Sequence, residues 1–272
     1  MLSLTTYNVT SLCQYDKSKE GVLRRSRLYR TLSRLVKFDI ICLQETKLKI
    51  FENRAISALS KTHKIFFNNN PNNVTGESHT AGTLIAVKHN VFYNYHMPVQ
   101  KHEHNHIIIV PGHSHSIILE PLKGGWPVIA VTNARLSTGA NKSEKQKTEI
   151  AEIRSKMGKG NLNYLAGDWN FTSEPDDSTR GTSDEPEGWS NLIRDLSFKE
   201  IKQPEHTYVF ASSTVNHSSR IDRIYVSFPE SEYLLADPKA WVVEEVFEDL
   251  RDLKSNLNSP GDSYSTHVPV VL

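Results

Sequence analysis

Cysteine is nearly absent: the 272 residues contain two, Cys13 and Cys42. Two such residues build no disulfide framework and match no metal-ligand spacing, so a reducing, intracellular setting is expected. Long apolar runs are missing too. None approaches the roughly 20 residues that cross a bilayer. Residues 1–9 have neither the basic start nor the long apolar stretch of a signal peptide. No membrane association is expected. Neither sign of charge is in excess, with 32 Lys and Arg against 31 Asp and Glu and a net charge of +1. A global basic field is excluded, and any nucleic-acid contact must come from a local patch. There is no repeat of fixed period and no low-complexity linker.

What the chain does have is strand-forming sequence. Such runs recur at Leu2–Asn8, Asp39–Leu43, Ile65–Asn68, Thr83–Val87, Ile107–Val110 and Ser116–Leu119. They continue at Val128–Asn133, Leu162–Ala166, Thr207–Phe210, Ile221–Val226, Ala240–Val243 and Val268–Leu272. Several are apolar throughout, as central strands covered on both faces are. Helical spacing is scarcer. Val22–Lys37 puts Leu28, Leu32, Leu35 and Val36 on one face. Lys142–Met157, Glu187–Leu196 and a short Glu52–Lys61 follow. Asn68–Gly76 and Glu174–Pro186 read as loops. This order predicts one α/β domain over residues 1–272, with two packed sheets and helices outside. The final strand runs to the last residue, which suggests a domain cut from a longer chain.

Candidate chemistry gathers where these strands end. Gly167-Asp168-Trp169-Asn170 follows the apolar run Leu162–Ala166. Residues two apart on a strand share a face, so Asp168 and Asn170 can aim at one water or phosphate oxygen. Trp169 between them reads as packing. Glu45, after Asp39–Leu43, suits a hard cation such as Mg²⁺, which takes oxygen ligands; a surface glutamate is the plainer alternative. Asn8 ends the first strand. Asp222 interrupts an apolar strand in Arg220-Ile221-Asp222-Arg223, and a buried carboxylate there needs a partner. The flanking arginines could serve, or His267 could, making an oriented imidazole able to contact or protonate a phosphate.

Taken in order, Asn8, Leu43-Gln44-Glu45-Thr46, Gly167-Asp168-Trp169-Asn170, Ser219-Arg220-Ile221-Asp222 and Ser265-Thr266-His267 resemble the endonuclease/exonuclease/phosphatase superfamily along essentially the whole chain. The resemblance implies a four-layered α/β sandwich, two packed and mainly antiparallel sheets flanked by helices. It implies Glu45 as a metal ligand with Asn8 beside it, Asp168 and Asn170 orienting the attacking water, and Asp222 holding a phosphate-binding His267. The implied cofactor is Mg²⁺, with Mn²⁺ as a substitute. Within the superfamily, Gly167-Asp168-Trp169-Asn170-Phe171 and Arg220-Ile221-Asp222-Arg223-Ile224-Tyr225-Val226-Ser227 look most like the endonuclease domain of LINE-type (non-LTR) retrotransposons. That likeness implies a nuclear enzyme, made in the cytoplasm, which nicks double-stranded DNA to prime the reverse transcriptase of the same polyprotein. It also makes Tyr208–Ser219 a groove-probing hairpin, with Thr207, Ser218 and Ser219 as DNA contacts beside Arg180. Arg24 and Arg25, in a helix rich in arginine, are further candidates for the DNA backbone.

Two positions depart from the superfamily pattern. Thr266 stands where an aspartate is usual on the metal side, and Arg135 stands where His or Tyr usually faces the phosphate. Arginine clamps phosphate but cannot act as a general acid. Three readings follow: a Mg²⁺-dependent DNA endonuclease (retrotransposon target or abasic site), a phosphatase or phospholipase, and a nucleic-acid-binding module with weakened catalysis. His102, His104, His106, His113 and His115 form a separate cluster, a candidate Zn²⁺ site if they share a hairpin face.

Overall fold

The apolar runs become strands in a computed structural model, which describes residues 2–9, 19–47, 54–70, 81–97, 105–212, 216–231, 233, 238–243 and 263–272. The strands in chain order begin with β1 (Leu4–Asn8), β2 (Ile40–Gln44), β3 (His63–Asn68), β4 (Thr83–Lys88), β5 (Tyr95–His96), β6 (His106–Val110), β7 (Ser114–Pro121) and β8 (Ile129–Arg135). They continue with β9 (Leu162–Asp168), β10 (Lys199–Glu200), β11 (Tyr208–Ser212), β12 (Asn216–Ser219), β13 (Asp222–Ser227), β14 (Trp241–Val242), β15 (Ser263–His267) and β16 (Val270–Val271). The helices are α1 (Lys19–Leu35), α2 (Arg54–Ser60), α3 (Lys142–Lys156) and α4 (Trp189–Asp195).

Two large sheets stack face to face. One runs β14-β16-β1-β2-β4-β3, and the other runs β10-β13-β9-β8-β7 with β5 and β6 both on β7. Only β1 with β2 and β8 with β9 pair in parallel; the other described pairs are antiparallel. Alternation explains the layering. Leu4, Ile40, Cys42, Ile85 and Val87 face inward and meet Ile117, Val131, Tyr164, Ala166 and Ile224 of the other sheet. On the outer face of the first sheet, Ile41, Leu43 and Leu84 pack under Leu28, Leu32 and Leu35 of α1 and Leu59 of α2. On the other side, Leu165 and Tyr225 pack with Ile150 and Ile153 of α3 and Trp189 and Leu192 of α4. Helix, sheet, sheet, helix is the expected α/β sandwich.

A polar staple crosses the inner layer. The Gln44 amide donates to Thr6 Oγ1 at 2.9 Å and to Asn133 Oδ1 at 2.6 Å. The Asn133 amide donates to the carbonyls of Leu43 and Leu84, each at 2.9 Å. One asparagine on the second sheet thereby registers the two strand ends of the first.

His267 precedes the final strand, β16, as expected, and it also ends a strand not foreseen, β15, which pairs with β11 in a third sheet of order β12-β11-β15. Ser-Tyr-Ser-Thr-His has no apolar periodicity, so nothing in its own pattern marks it as a strand. Backbone pairing with β11 makes it one. Cys42 is buried and unpaired, whereas Cys13 lies outside the described residues.

Candidate active site

Strand direction brings the site together. β8 and β9 are parallel and end level, with Arg135 opposite Asp168. β13 is antiparallel to β9, so its first residue, Asp222, sits opposite Asp168 on the other side. The three make a lateral row, Arg135–Asp168–Asp222. On the facing sheet, Asn8 and Gln44 end the parallel pair β1 and β2, and Glu45 follows. Because Gln44 is stapled to Asn133, Glu45 meets Arg135, which is two residues past Asn133 on the same face of β8.

The contacts form one network. The Asn8 amide donates to Glu45 Oε1 at 3.1 Å and to Asp168 Oδ2 at 2.8 Å. Arg135 donates to Glu45 Oε1 from Nε at 3.0 Å and from Nη2 at 2.8 Å. Lys47 Nζ lies 2.9 Å from Glu45 Oε2. His267 Nδ1 donates to Asp222 Oδ2 at 2.8 Å. The flanking arginines therefore do not partner Asp222. Arg220 and Arg223 point the other way, to Asp177, and pin the loop after Asn170.

Asp168 and Asn170 do meet, but not by strand alternation. Asn170 lies beyond β9 in a left-handed conformation, φ 53°. The Asp168 carboxylate accepts the Asn170 N–H at 3.1 Å and its side-chain amide at 3.0 Å, an aspartate turn. The Asn170 amide also donates to the Leu136 carbonyl at 2.9 Å. Glu45 and Lys47 are left-handed as well, at φ 53° and 48°. Such strained non-glycine positions cluster at functional sites. Trp169 is fully buried and packs on Trp189 and Tyr225, as expected of a packing residue.

Burial and neighbouring charge set the protonation states. Burial raises the Asp168 carboxyl, and Asp222 and Glu45 add to this against the pull of His267 and Arg135; the result is about 6. Burial disfavours the charged His267 imidazole, but Asp222, with Asp168 and Glu45, outweighs burial and lifts it to about 9. Burial likewise works against the Glu45 carboxylate, yet Arg135 and Lys47 hold it at about 2. At neutral pH the site thus holds ionised Asp168 and Glu45 beside a protonated His267.

These groups open onto a cleft of about 620 Å³ lined by Glu45, Lys47, Arg135, Asn170, His267 and the hairpin of β11 and β12. From the hairpin come Tyr208, His217 and Ser219, and Arg180 reaches in from the loop 172–185. The Tyr208 ring lies against His267, centroids 5.0 Å apart, and Arg180 Nη2 is 3.3 Å from His217 Nδ1. Thr207 is not a surface contact. It is fully buried, and its hydroxyl accepts the N–H groups of Ile221 and Asp222 at 3.2 and 3.0 Å. Ser218 Oγ turns to His206, 2.8 Å away. Arg24 and Arg25 lie on α1 and the backbone of Thr266 on β15, but their side chains are outside the described residues. Lys47 escaped sequence reasoning, its only signal being its place two residues after Glu45; His217 lies in the hairpin expected to probe the groove but was not singled out within it.

Among the described residues, the histidine cluster divides between two sets of partners. His106 and His115 share a hydrogen bond of 2.9 Å, while His113 lies 3.0 Å from Glu149. His102 and His104 are outside the described residues. Among the described residues, the group of three that brings ligand atoms together is Asp168, Asp222 and His267, within 4.8 Å of one another.

The sequence profile of the endonuclease/exonuclease/phosphatase family matches residues 5–234. The chain belongs to that family. Its members are metal-dependent phosphodiester hydrolases, both nucleases and phosphatases. No curated protein sequence matches the chain. The fold is similar to an AP endonuclease from Leishmania major, with a TM-score of 0.64 and 15% identity over 99% of this chain and 86% of that one. A 3′ phosphatase from Neisseria, solved with its product DNA hairpin, gives 0.58 and 18% over 100% and 98%. An AP endonuclease from Archaeoglobus fulgidus gives 0.57 and 17%, also over 100% and 98%.

The donors of this family member do not make a ready seat for a divalent cation. Glu45 is taken by two cationic side chains, and Asn8 turns its N–H₂ group to both carboxylates. His267 is itself a cation, with Nδ1 committed to Asp222. Of the carboxylate oxygens in this network, Asp222 Oδ1 has no hydrogen-bond partner, and a single such carboxylate oxygen falls short of the near-octahedral set that Mg²⁺ demands.

Proposed function

We propose that this chain is a DNA endonuclease that nicks one strand of a duplex by hydrolysing a phosphodiester bond. The observation that supports this is the convergence of Arg135, Asn170 and His267 on one cleft, with the buried Asp168 bonded to Asn170 and the buried Asp222 to His267. Arg135, Lys47 and the His267 imidazolium neutralise the phosphate. Asp168 and Asn170 orient a water, and Asp168, with its carboxyl near 6, accepts a proton as the water oxygen attacks phosphorus. The bond to the leaving sugar oxygen breaks, and His267 stabilises and protonates that oxygen. Asp222 keeps the imidazole charged and aimed. In this family a divalent cation supplies further charge neutralisation, Mg²⁺ being our proposal; Glu45 and Asn8 are the residues nearest to a seat for it, and no step above depends on it.

The substrate is a finer proposal. The motifs around Asp168 and Asp222 support target-site nicking in the nucleus by a retrotransposon endonuclease, a single unit of a longer polyprotein, that hands a 3′ end to its reverse transcriptase. The two AP endonucleases of similar fold support an abasic site instead. The experiment is nicking of supercoiled plasmid, intact or depurinated, with Mg²⁺ and with EDTA. Nicks in intact plasmid support the first reading, and nicks confined to depurinated plasmid support the second. Hydrolysis of inositol phosphates without any nicking would make the chain a phosphatase, and no hydrolysis at all would sink the enzyme reading. His267→Ala and Asp168→Ala should each abolish nicking while the fold persists.

A further inference from the structure

We propose that Arg135 and Lys47 occupy the cation seat of this cleft, so that the chain grips a phosphodiester with its own side chains and admits a divalent cation only in competition with them. The inference rests on reading the cleft as a phosphodiester site. Glu45 is the carboxylate placed to receive a hard cation. Its Oε1 already accepts from Arg135 Nε at 3.0 Å, Arg135 Nη2 at 2.8 Å and Asn8 at 3.1 Å, and its Oε2 faces Lys47 Nζ at 2.9 Å. At Glu45 one negative charge thus meets two positive charges, while Asp168, on the same Asn8 amide, and Asp222 keep their own carboxylates clear of both cations. An arriving cation would lose most of the carboxylate's attraction and meet like charge from both sides. A phosphate meets the opposite balance.

Both cations are held by the fold rather than by chance. The Arg135 N–H donates to the His113 carbonyl at 2.9 Å, and its own carbonyl lies 3.2 Å from His113 Nδ1. The Lys47 N–H donates to the Ala81 carbonyl at 3.0 Å, in a left-handed turn that swings its side chain back over Glu45. Guanidinium is a planar fork that matches two phosphate oxygens, which an ammonium cannot do alone. Arg135 and Lys47 thus reach the cleft on which His267 also lies, beside the carboxylate of Glu45 and with Asp222 bonded to the imidazole.

The test uses the whole chain, with Arg135→Leu and Lys47→Met as variants and circular dichroism to check folding. Mn²⁺ binding is measured from the electron paramagnetic resonance of the free ion, and binding of a fluorescent DNA duplex is measured by anisotropy in EDTA. The wild type should bind Mn²⁺ weakly and each variant about tenfold more tightly. In EDTA the wild type should hold the duplex, Arg135→Leu should lose about tenfold, and added Mn²⁺ should restore it. Equal Mn²⁺ affinity in all three proteins would overturn the proposal, as would duplex binding in EDTA that neither substitution weakens. Lys47→Met keeps the test open if Arg135→Leu does not fold. Should the wild type nick nothing yet show these binding shifts, the nuclease reading fails and the seat assignment stands.

Discussion

At the scale of single residues, His267 owes its charge to Asp222. Two groups bracket the working pH. Nicking should fall as pH drops through about 6, where Asp168 takes a proton, and as pH rises past about 9, where His267 loses one. Because the groups interact, the two limbs report on the pair. Asp222→Asn removes the charge that raises both. Both limbs should move to lower pH, the alkaline one further, and a pH–rate profile with an unmoved alkaline limb would refute the Asp222 assignment. The sign for stability is the same. His267 binds its proton more tightly folded than unfolded, so its contribution is full below about 6.5 and is lost as pH rises through about 9. Gly167 matters for a different reason. A Cβ there would sit 1.9 Å from the Ala134 carbonyl oxygen, and both strands are central, so neither can retreat. Gly167→Ala should cost at least about 2 kcal/mol and break the Arg135–Asp168 row. A urea melt within about 0.5 kcal/mol of wild type would show that the strands can give.

At the scale of elements, the hairpin of β11 and β12 is braced by the loop 172–185. Thr179 N–H donates to the Ser218 carbonyl at 3.0 Å, and Arg220 N–H to the Asp177 carbonyl at 2.8 Å. Below them the buried Asp177 carboxylate accepts from Arg220 Nε at 2.9 Å and Nη2 at 2.6 Å and from Arg223 Nη2 at 3.2 Å. Removing Asp177 takes a buried counter-charge from two guanidinium groups, leaving Arg220 with Glu200 and Arg223 with neutral acceptors such as the Phe171 carbonyl. Asp177→Ala should therefore cost about 3–5 kcal/mol and, where folded protein remains, scatter the nick positions on a sequenced duplex. An unchanged cut pattern at full stability would detach the loop from site choice. The element boundaries show what a local pattern can carry. Val22–Lys37 and Lys142–Met157 came within a few residues of α1 and α3, because their apolar faces repeat at helical spacing. β15 did not declare itself, because a polar strand is defined by its neighbour.

At the scale of the whole molecule, the site lies between two sheets tied by side chains and by the backbone bond from the Gly82 N–H to the Gly112 carbonyl at 2.7 Å. Asn133 is the central side chain, with bonds to Gln44, Leu43 and Leu84. Asn133→Ala would remove these buried bonds at about 1–3 kcal/mol for each group left unpaired, although the Gln44 amide keeps Thr6 Oγ1. It should lower stability by at least about 2 kcal/mol and slow nicking, because Glu45 and Arg135 lose their common anchor. Wild-type stability in that variant would mean that apolar packing and that backbone bond set the register.

The sequence by itself determined the layers and the strand-end carboxylates. Apolar periodicity and backbone propensity are local, and Gly167-Asp168-Trp169-Asn170 and Arg220-Ile221-Asp222 could be read where they stand. Only the tertiary structure decided the partners. His267 took Asp222, leaving Arg220 and Arg223 to Asp177, and Thr207 turned inward to cap the backbone before β13. Above all, Arg135 closed on Glu45 across the sheet interface, opposite Lys47. Residues 90 apart in sequence meet through the Gln44–Asn133 staple, and a one-dimensional pattern carries no information about which strand ends are brought level.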